Sequence, residues 1–178
     1  MISETIPDGH EWLRICEAGW KDPLDPSFAQ VKGGRWNPPD SWPTLYLNED
    51  VVTARLNLDA FIAGWPYRPE ELDDAHGPQL AAATLPRNQT VADVHTPGGV
   101  VAVGLSPTYP IDESGDPITR EVCQPIGIRV QEAGLRGVRC RSVQVPRGAC
   151  RELAWFPATS RSRAHLIQRR DFIDWFWG

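Results

Sequence analysis

No apolar run in the 178 residues approaches the ~20 needed to span a bilayer. The amino terminus carries early acids and lacks the basic-then-apolar pattern of a secretory signal, so a cytoplasmic protein is expected, with no membrane partner. The four cysteines, Cys16, Cys123, Cys140 and Cys150, show no C-x-x-C pairing. That argues against a zinc site or a disulfide framework, and buried free thiols are expected. His10, His76, His95 and His165 are scattered, and no metal is expected. Positive charge is not in excess: the formal charge is -5 and the pI about 5.3. This excludes a mainly electrostatic nucleic-acid binder. A local basic cluster, Arg161, Arg163, Arg169 and Arg170, reads as a solvated face or as a surface for an acidic partner segment. Internal repeats, low-complexity tracts and domain boundaries are also missing. At 41% hydrophobic and 23% charged residues, the composition is that of one globular domain, residues 1–178, with a sizeable core.

The most constrained stretch is Gly33-Gly34-Arg35-Trp36-Asn37-Pro38-Pro39, followed by the apolar run Thr44-Leu45-Tyr46-Leu47. Glycines let a backbone turn and approach another group closely. Prolines fix the exit from the turn and supply no amide hydrogen. Two readings follow. Arg35 faces a ligand's phosphate or carboxylate with Tyr46 nearby; or the run is a rigid surface turn whose Arg pairs with a carboxylate and whose Trp packs in the core.

Around this stretch the pattern is mixed. Residues 1–9 read as a loose lead-in and 11–16 as a strand, with Leu13 and Ile15 on one face and Trp12 and Arg14 on the other. Residues 17–43 read as a long loop, which in a compact domain is often functional. A strand at 45–47 precedes the helix-start signal Asn48-Glu49-Asp50. Val51, Ala54, Leu58, Phe61 and Ile62 then form one apolar helix face, with Asn57 at its border. A short acidic helical turn is expected at 69–74, and strands at 80–85, 91–94, 137–142 and 153–156. Residues 98–105 are ambiguous between helix and strand. A helix within 119–132 must hold Pro125 near its first turn or kink there. The stretch 165–177 reads as a final strand. Elements of both kinds without regular alternation predict an α+β fold.

Taken together, the pieces resemble the RES domain family. The Gly-Gly-Arg-Trp-Asn-Pro-Pro run leads into Leu45-Tyr46-Leu47-Asn48-Glu49-Asp50 and a helix. Cys123-Gln124-Pro125-Ile126-Gly127 resembles the family's Gln-x-x-Gly helix. Residues 134–142, from Gly134 through Gly137 to Ser142, resemble its Gly-x-x-Gly strand ending in Ser. Leu153-Ala154-Trp155-Phe156 resembles its Leu-x-Phe strand. The resemblance spans residues 12–157.

It implies an α+β, ADP-ribosyltransferase-like fold with a central split sheet, antiparallel or mixed, and flanking helices. It also implies NAD, as substrate, in a central cleft. RES proteins are typically toxins of toxin–antitoxin pairs that break the nicotinamide–ribose bond of NAD, with water or phosphate as acceptor. The implied partner is an Xre-type antitoxin covering the cleft. Carried over residue by residue, the candidate NAD contacts are Arg14, Arg35, Trp36, Tyr46, Gln124 and Ser142, and the candidate catalytic residues are Arg35, Tyr46 and Asn57. Arg suits a pyrophosphate because it forms paired charge-assisted hydrogen bonds, and Tyr46 would wall the nicotinamide.

At one position the chain departs from the family. The catalytic Glu, eleven positions after the Tyr, is here Asn57. Loss of one such electrostatic group typically costs ~2.7–4 kcal/mol of transition-state stabilisation. Asp50 and, less well, Asp59 are the nearby substitutes, and Glu49 reads as a helix cap. Two further expectations stand beside the enzyme: a degenerate RES protein that binds nucleotide or antitoxin and gains activity in Asn57→Glu, and an interaction module using Trp175, Phe176 and Trp177. The acceptor and the oligomeric state, a homodimer included, stay open.

Overall fold

A computed structural model describes residues 1–66, 68–144, 150–159 and 162–178. The elements in chain order are β1 (Ser3–Thr5), β2 (Trp12–Cys16), α1 (Ser27–Lys32), β3 (Leu45–Asn48), α2 (Val51–Ile62), β4 (Gln79–Thr84), β5 (Thr90–Val94), α3 (Pro97–Ala102), α4 (Arg120–Glu132), β6 (Gly137–Arg141), β7 (Arg151–Trp155), β8 (His165–Arg170) and α5 (Phe172–Trp177). A 3₁₀ turn at Pro69–Glu71 precedes β4.

The strands form one eight-stranded sheet in the order β1-β5-β6-β7-β3-β2-β4-β8. β5 and β6 run parallel, and the other neighbouring pairs are antiparallel. The strands on either side of the centre are well paired. β3 aligns Leu45 through Asn48 with Trp155 through Glu152 of β7, and β2 aligns Trp12 through Cys16 with Ala83 through Gln79 of β4. Between β2 and β3, however, the register is a single pair, Leu13 with Asn48. Beyond it the two strands diverge, and the sheet is split at its middle.

Helices cover one face in two groups. α2 and α5 pack on β2 and β4 through Ala54, Leu58, Ile62, Phe172, Trp175 and Phe176 against Leu13, Leu80 and Ala82. α3 and α4 pack on β5, β6 and β7 through Val100, Cys123, Ile126 and Val130 against Val94, Val138, Cys140 and Ala154. The opposite face buries Trp12, Leu45, Leu47, Leu153 and Trp155 beneath connecting segments. Burial on both faces explains the run Leu80-Ala81-Ala82-Ala83, fully buried in a strand flanked by β2 and β8. The four cysteines are buried and unpaired.

Several sequence expectations change. The lead-in contains β1, which pairs with β5, and the long loop contains α1. The ambiguous piece is helix α3, capped by the Thr96 side chain on the Gly99 amide. Pro125 lies within α4, in its second turn. The final stretch is a strand followed by a helix. Phe172, Trp175 and Phe176 recur at helical spacing and are buried, and Arg55 donates to the carbonyls of Trp175 and Gly178, which the last turn cannot satisfy itself. Burial of Trp175 and Phe176 removes the carboxy-terminal aromatic surface; Trp177 alone of the three is exposed. Phe61, expected inward, is also exposed. The basic cluster does not stand free. Arg169 donates to the carbonyls of Trp20 and Lys21, Arg163 lies 3.9 Å from Asp22, and Arg161 falls outside the described residues.

Candidate active site

The split between β2 and β3 opens into a cavity of about 510 Å3. Arg14, Ile15 and Cys16 line it from β2, Tyr46, Leu47 and Asn48 from β3, Asn57, Leu58 and Phe61 from α2, and Glu152 from β7. Trp20, Phe28 and Trp65 stand at its rim, and Phe28 and Phe61 are about two-thirds exposed (68% and 69%). The site is a gap in the ladder with an apolar collar and a polar floor.

The Gly-Gly-Arg-Trp-Asn-Pro-Pro run is a clamp on Tyr46. Gly33 turns the chain with φ 71°, and Gly34 has no Cβ because the Tyr46 hydroxyl occupies that space. The hydroxyl accepts the Trp36 amide hydrogen (2.9 Å) and donates to Asn37 Oδ1 (2.9 Å). Asn37 is buried and donates to the Ala29 carbonyl at 2.7 Å. Gln124 of α4 pins the clamp from behind, donating to the carbonyls of Gly34 (2.9 Å) and Asn37 (3.3 Å). Gly127, one turn further, lets the Trp36 carbonyl touch the helix. Burial pushes the Tyr46 phenol far above its ordinary value. Tyr46 therefore stays protonated at physiological pH and offers its ring to the cleft rather than an acid or a base.

Arg14 faces the cavity from the other wall. Its NH1 donates to the carbonyls of Pro23 (2.9 Å) and Asp25 (3.0 Å), and its guanidinium lies 5.4 Å from the Trp20 ring centroid. Burial lowers its pKa, and it makes no ion pair among the described residues. A guanidinium held by neutral carbonyls keeps its charge available for an anion.

The floor is a polar network. Asn57 Nδ2 donates to Asn48 Oδ1 (2.7 Å) and to Glu152 Oε1 (2.8 Å), while its Oδ1 accepts from the Ser142 hydroxyl (2.9 Å). Asn48 Nδ2 donates to the Leu13 carbonyl at 3.2 Å, where the ladder ends. Burial and the nearby Glu152 charge both push the Cys140 thiol up.

The structure thus brings Arg14, Tyr46 and Asn57 to the cleft. Ser142 stands behind Asn57 and is fully buried. Gln124 secures the clamp, and Trp36 packs in the core at 1% exposure. Arg35 is directly beside the clamp, but its NH1 donates to the Ile118 carbonyl (2.6 Å) and lies 3.8 Å from Cys123 Sγ, so it does not line the cavity. Asp50 is exposed and caps α2, accepting the Thr53 amide at 2.7 Å; it does not enter the cleft. Glu49 is not the cap, because Arg139 takes both its oxygens at 2.9 and 2.7 Å. Asp59 is exposed.

Two residues escaped the sequence reading. Asn37 orients the tyrosine, and Glu152 brings a carboxylate to the floor. Glu152 sits opposite Asn48 in the β3–β7 register, a neighbourhood that appears only once the strand order is known. Glu4, Asp93 and His95 also gather, within 4.8 Å of one another, but Arg139 reaches Glu4 at 3.1 Å and His95 reaches it at 2.7 Å. Their charges are answered by neighbouring side chains.

The fold is similar to that of a solved M. tuberculosis structure, that of the MbcT–MbcA toxin–antitoxin complex. The likeness covers 98% of this chain and 92% of that one, with a TM-score of 0.72 at 21% identity, a level that speaks for the fold. Among curated proteins none matches the sequence significantly. The RES domain model matches residues 11–174, and the chain belongs to the RES domain family.

Proposed function

We propose that this protein is the toxin of a toxin–antitoxin pair and that it binds NAD in the split of the sheet and cleaves the nicotinamide–ribose bond. The observation that carries the reading is the cleft itself. An unpaired guanidinium, Arg14, stands across from an aromatic wall, Tyr46, above a floor of hydrogen-bonding groups. That set matches a pyrophosphate, a nicotinamide ring and a ribose. Trp36 and Gln124 act from behind by fixing Tyr46 and its clamp, Ser142 by fixing Asn57, and Arg35 ties the clamp to the Ile118 carbonyl. Cleavage breaks the bond from C1′ to the ring nitrogen. The electron pair leaves with nicotinamide, which becomes neutral, and an acceptor oxygen closes on C1′ and releases its proton to solvent. Water, phosphate or a protein side chain could each be that acceptor.

The exposed Phe28 and Phe61 at the mouth support an antitoxin, of the Xre type by resemblance, that covers the cleft. The setting is cytoplasmic, and among the described residues no helix is long and apolar enough to cross a membrane. The reading is tested by incubating purified protein with NAD, with and without phosphate, and identifying products by chromatography and mass spectrometry. Nicotinamide with ADP-ribose or its 1″-phosphate is expected. No NAD loss at high protein concentration, together with no NAD binding by calorimetry, overturns it. Binding without turnover favours the second reading, a nucleotide- or antitoxin-binding RES protein, for which the uncharged Asn57 is the motive.

A further inference from the structure

Departure of nicotinamide leaves positive charge on the ribose, and the helix position that should face it carries an amide. An amide at position 57 can hold a hydroxyl but cannot balance a cation. The carboxylate lies on the opposite side of the floor. We propose that Glu152 of β7 supplies the negative charge of this site and that Asn57 is its positioning partner: the charge has moved from the helix to the strand. This rests on the NAD reading above.

Four observations carry the assignment. First, Glu152 lines the cavity, with Oε1 2.8 Å from Asn57 Nδ2. Second, it forms no ion pair among the described residues. The acid across the same pair of strands, Glu49, is neutralised by Arg139 at 2.7 Å, with Arg151 at 3.7 Å. Glu152 is therefore a charge kept free at the floor of a cleft, an arrangement that costs solvation and needs a reason. Third, it is held rigidly. β7 is paired on both sides, which sets Glu152 opposite Asn48 and Cys140. The Asn57 amide that orients it is itself fixed by the Ser142 hydroxyl at 2.9 Å and Asn48 at 2.7 Å. Such preorganised charge, aimed where charge develops, is the largest single source of rate enhancement in many enzymes. Fourth, the competitors fail. Asp50 is spent on the helix cap, Asp59 is exposed, and Glu17 lies exposed at the rim, where water screens it.

The step balances without a further reagent. The C1′–N bond breaks with its electron pair going to nicotinamide. Glu152 faces the resulting oxocarbenium ion without bonding to it, and the acceptor oxygen donates the pair of the new C1′–O bond.

The test uses the full chain and four proteins: the native one, Glu152→Gln, Asn57→Glu/Glu152→Gln, and Arg14→Gln as a binding control. Two measurements are made on each. One is NAD cleavage with kcat and KM separated. The other, which needs no turnover, is the ratio of affinities for an ADP-ribose analogue whose terminal ribose is replaced by a cationic pyrrolidine and for ADP-ribose itself, whose terminal ribose is uncharged. Glu152→Gln is expected to lower kcat about 10²–10³-fold with little change in KM, and to abolish the preference for the cation. The double variant, which returns the charge to the helix, should recover at least about tenfold over Glu152→Gln, as a transferred electrostatic group would. Arg14→Gln should weaken both ligands equally and leave the ratio unchanged. Native protein that cleaves NAD while Glu152→Gln matches it within twofold overturns this inference and leaves the NAD reading standing. Native protein that binds without turnover is judged by the affinity ratio: loss of the cation preference in Glu152→Gln supports the inference, and its persistence overturns it. Native protein that neither cleaves NAD nor binds either ligand overturns both.

Discussion

Restoring the family's glutamate at position 57 is the obvious engineering step, and the structure predicts that by itself it fails. Asn57→Glu removes the Nδ2 that now donates to Glu152 Oε1 at 2.8 Å and Asn48 Oδ1 at 2.7 Å, and its longer side chain brings a carboxylate to the same floor. Two donated hydrogen bonds disappear and three acceptors are left facing one another. Two unit charges about 4 Å apart at an effective dielectric of 20 repel by roughly 4 kcal/mol. Both residues are partly exposed, so solvent screening reduces this, and about 2 kcal/mol is expected above neutrality. The sign with pH follows from proton linkage. The native variant relieves the repulsion by keeping one proton shared between positions 57 and 152, while the unfolded chain gives it up at an ordinary carboxylate pKa. The native state thus binds more protons, and stability falls as pH rises. At about 2–4 °C per kcal/mol for a domain of this size, the melting temperature should drop by roughly 4–8 °C relative to native protein at pH 8, and much less at pH 5. Scanning fluorimetry across that range measures it. Asn57→Glu/Glu152→Gln should show no such slope, and NAD cleavage by Asn57→Glu alone should not rise. A difference in melting temperature that is the same at pH 5 and pH 8 would refute the juxtaposition of the two side chains.

Other perturbations separate contact from support. Arg14→Gln removes the cleft's unpaired cation and should raise the KM for NAD by about tenfold to a hundredfold, the scale of a lost charge-assisted hydrogen bond, while kcat changes little; an unchanged KM in steady-state kinetics would remove Arg14 from the site. Tyr46→Phe strands the Trp36 amide and Asn37 Oδ1, and chemical denaturation should show a loss of about 1–3 kcal/mol. Since the phenol does not ionise in the working range, the pH profile of NAD cleavage should keep its shape in that variant, and a lost limb would contradict the structural role. Gly127→Ala drives a methyl group into the Trp36 carbonyl and should destabilise by about 1–3 kcal/mol, the usual cost of overpacking, again read by denaturation.

Much of the architecture is legible in the sequence because it is local. Asp50 before an apolar periodicity starts α2, and its side chain does cap the helix; Gly134 ends the helical segment with φ 76°. Strand runs at Leu80, Val91 and Gly137 stand close to where alternation and composition put them. What escapes is decided at long range. α5 has six residues, too few to be stable alone, and it depends on Arg55, 120 positions upstream. Phe61 fits the helical face by spacing, yet the split leaves no wall there to cover it. The site shows the same division. Tyr46 and Asn57 stand out by motif. The direction of Arg35 depends on the approach of Ile118 from a distant loop. Glu152 is informative only beside Asn48, and no local pattern in Arg151-Glu152-Leu153 announces that pairing.

The split explains why the floor has the composition it does. Where β2 and β3 part, carbonyl and amide groups that a continuous ladder would pair are left to other partners, and buried ones must find them. Asn48 meets part of this need by donating to the Leu13 carbonyl. Its own Oδ1 then needs a donor, which Asn57 provides, and the other oxygen-bearing neighbours, Ser142 and Glu152, close around the same amide. An amide suits position 57 because it both donates and accepts; a carboxylate there could do only the second. Once the helix carries Asn, a negative charge can reside on β7 within a satisfied network, and a second one on α2 cannot. Opening of the sheet, the identity of residue 57 and the location of the carboxylate are therefore one constraint, and a change at any of the three should be tolerated only with a compensating change at another.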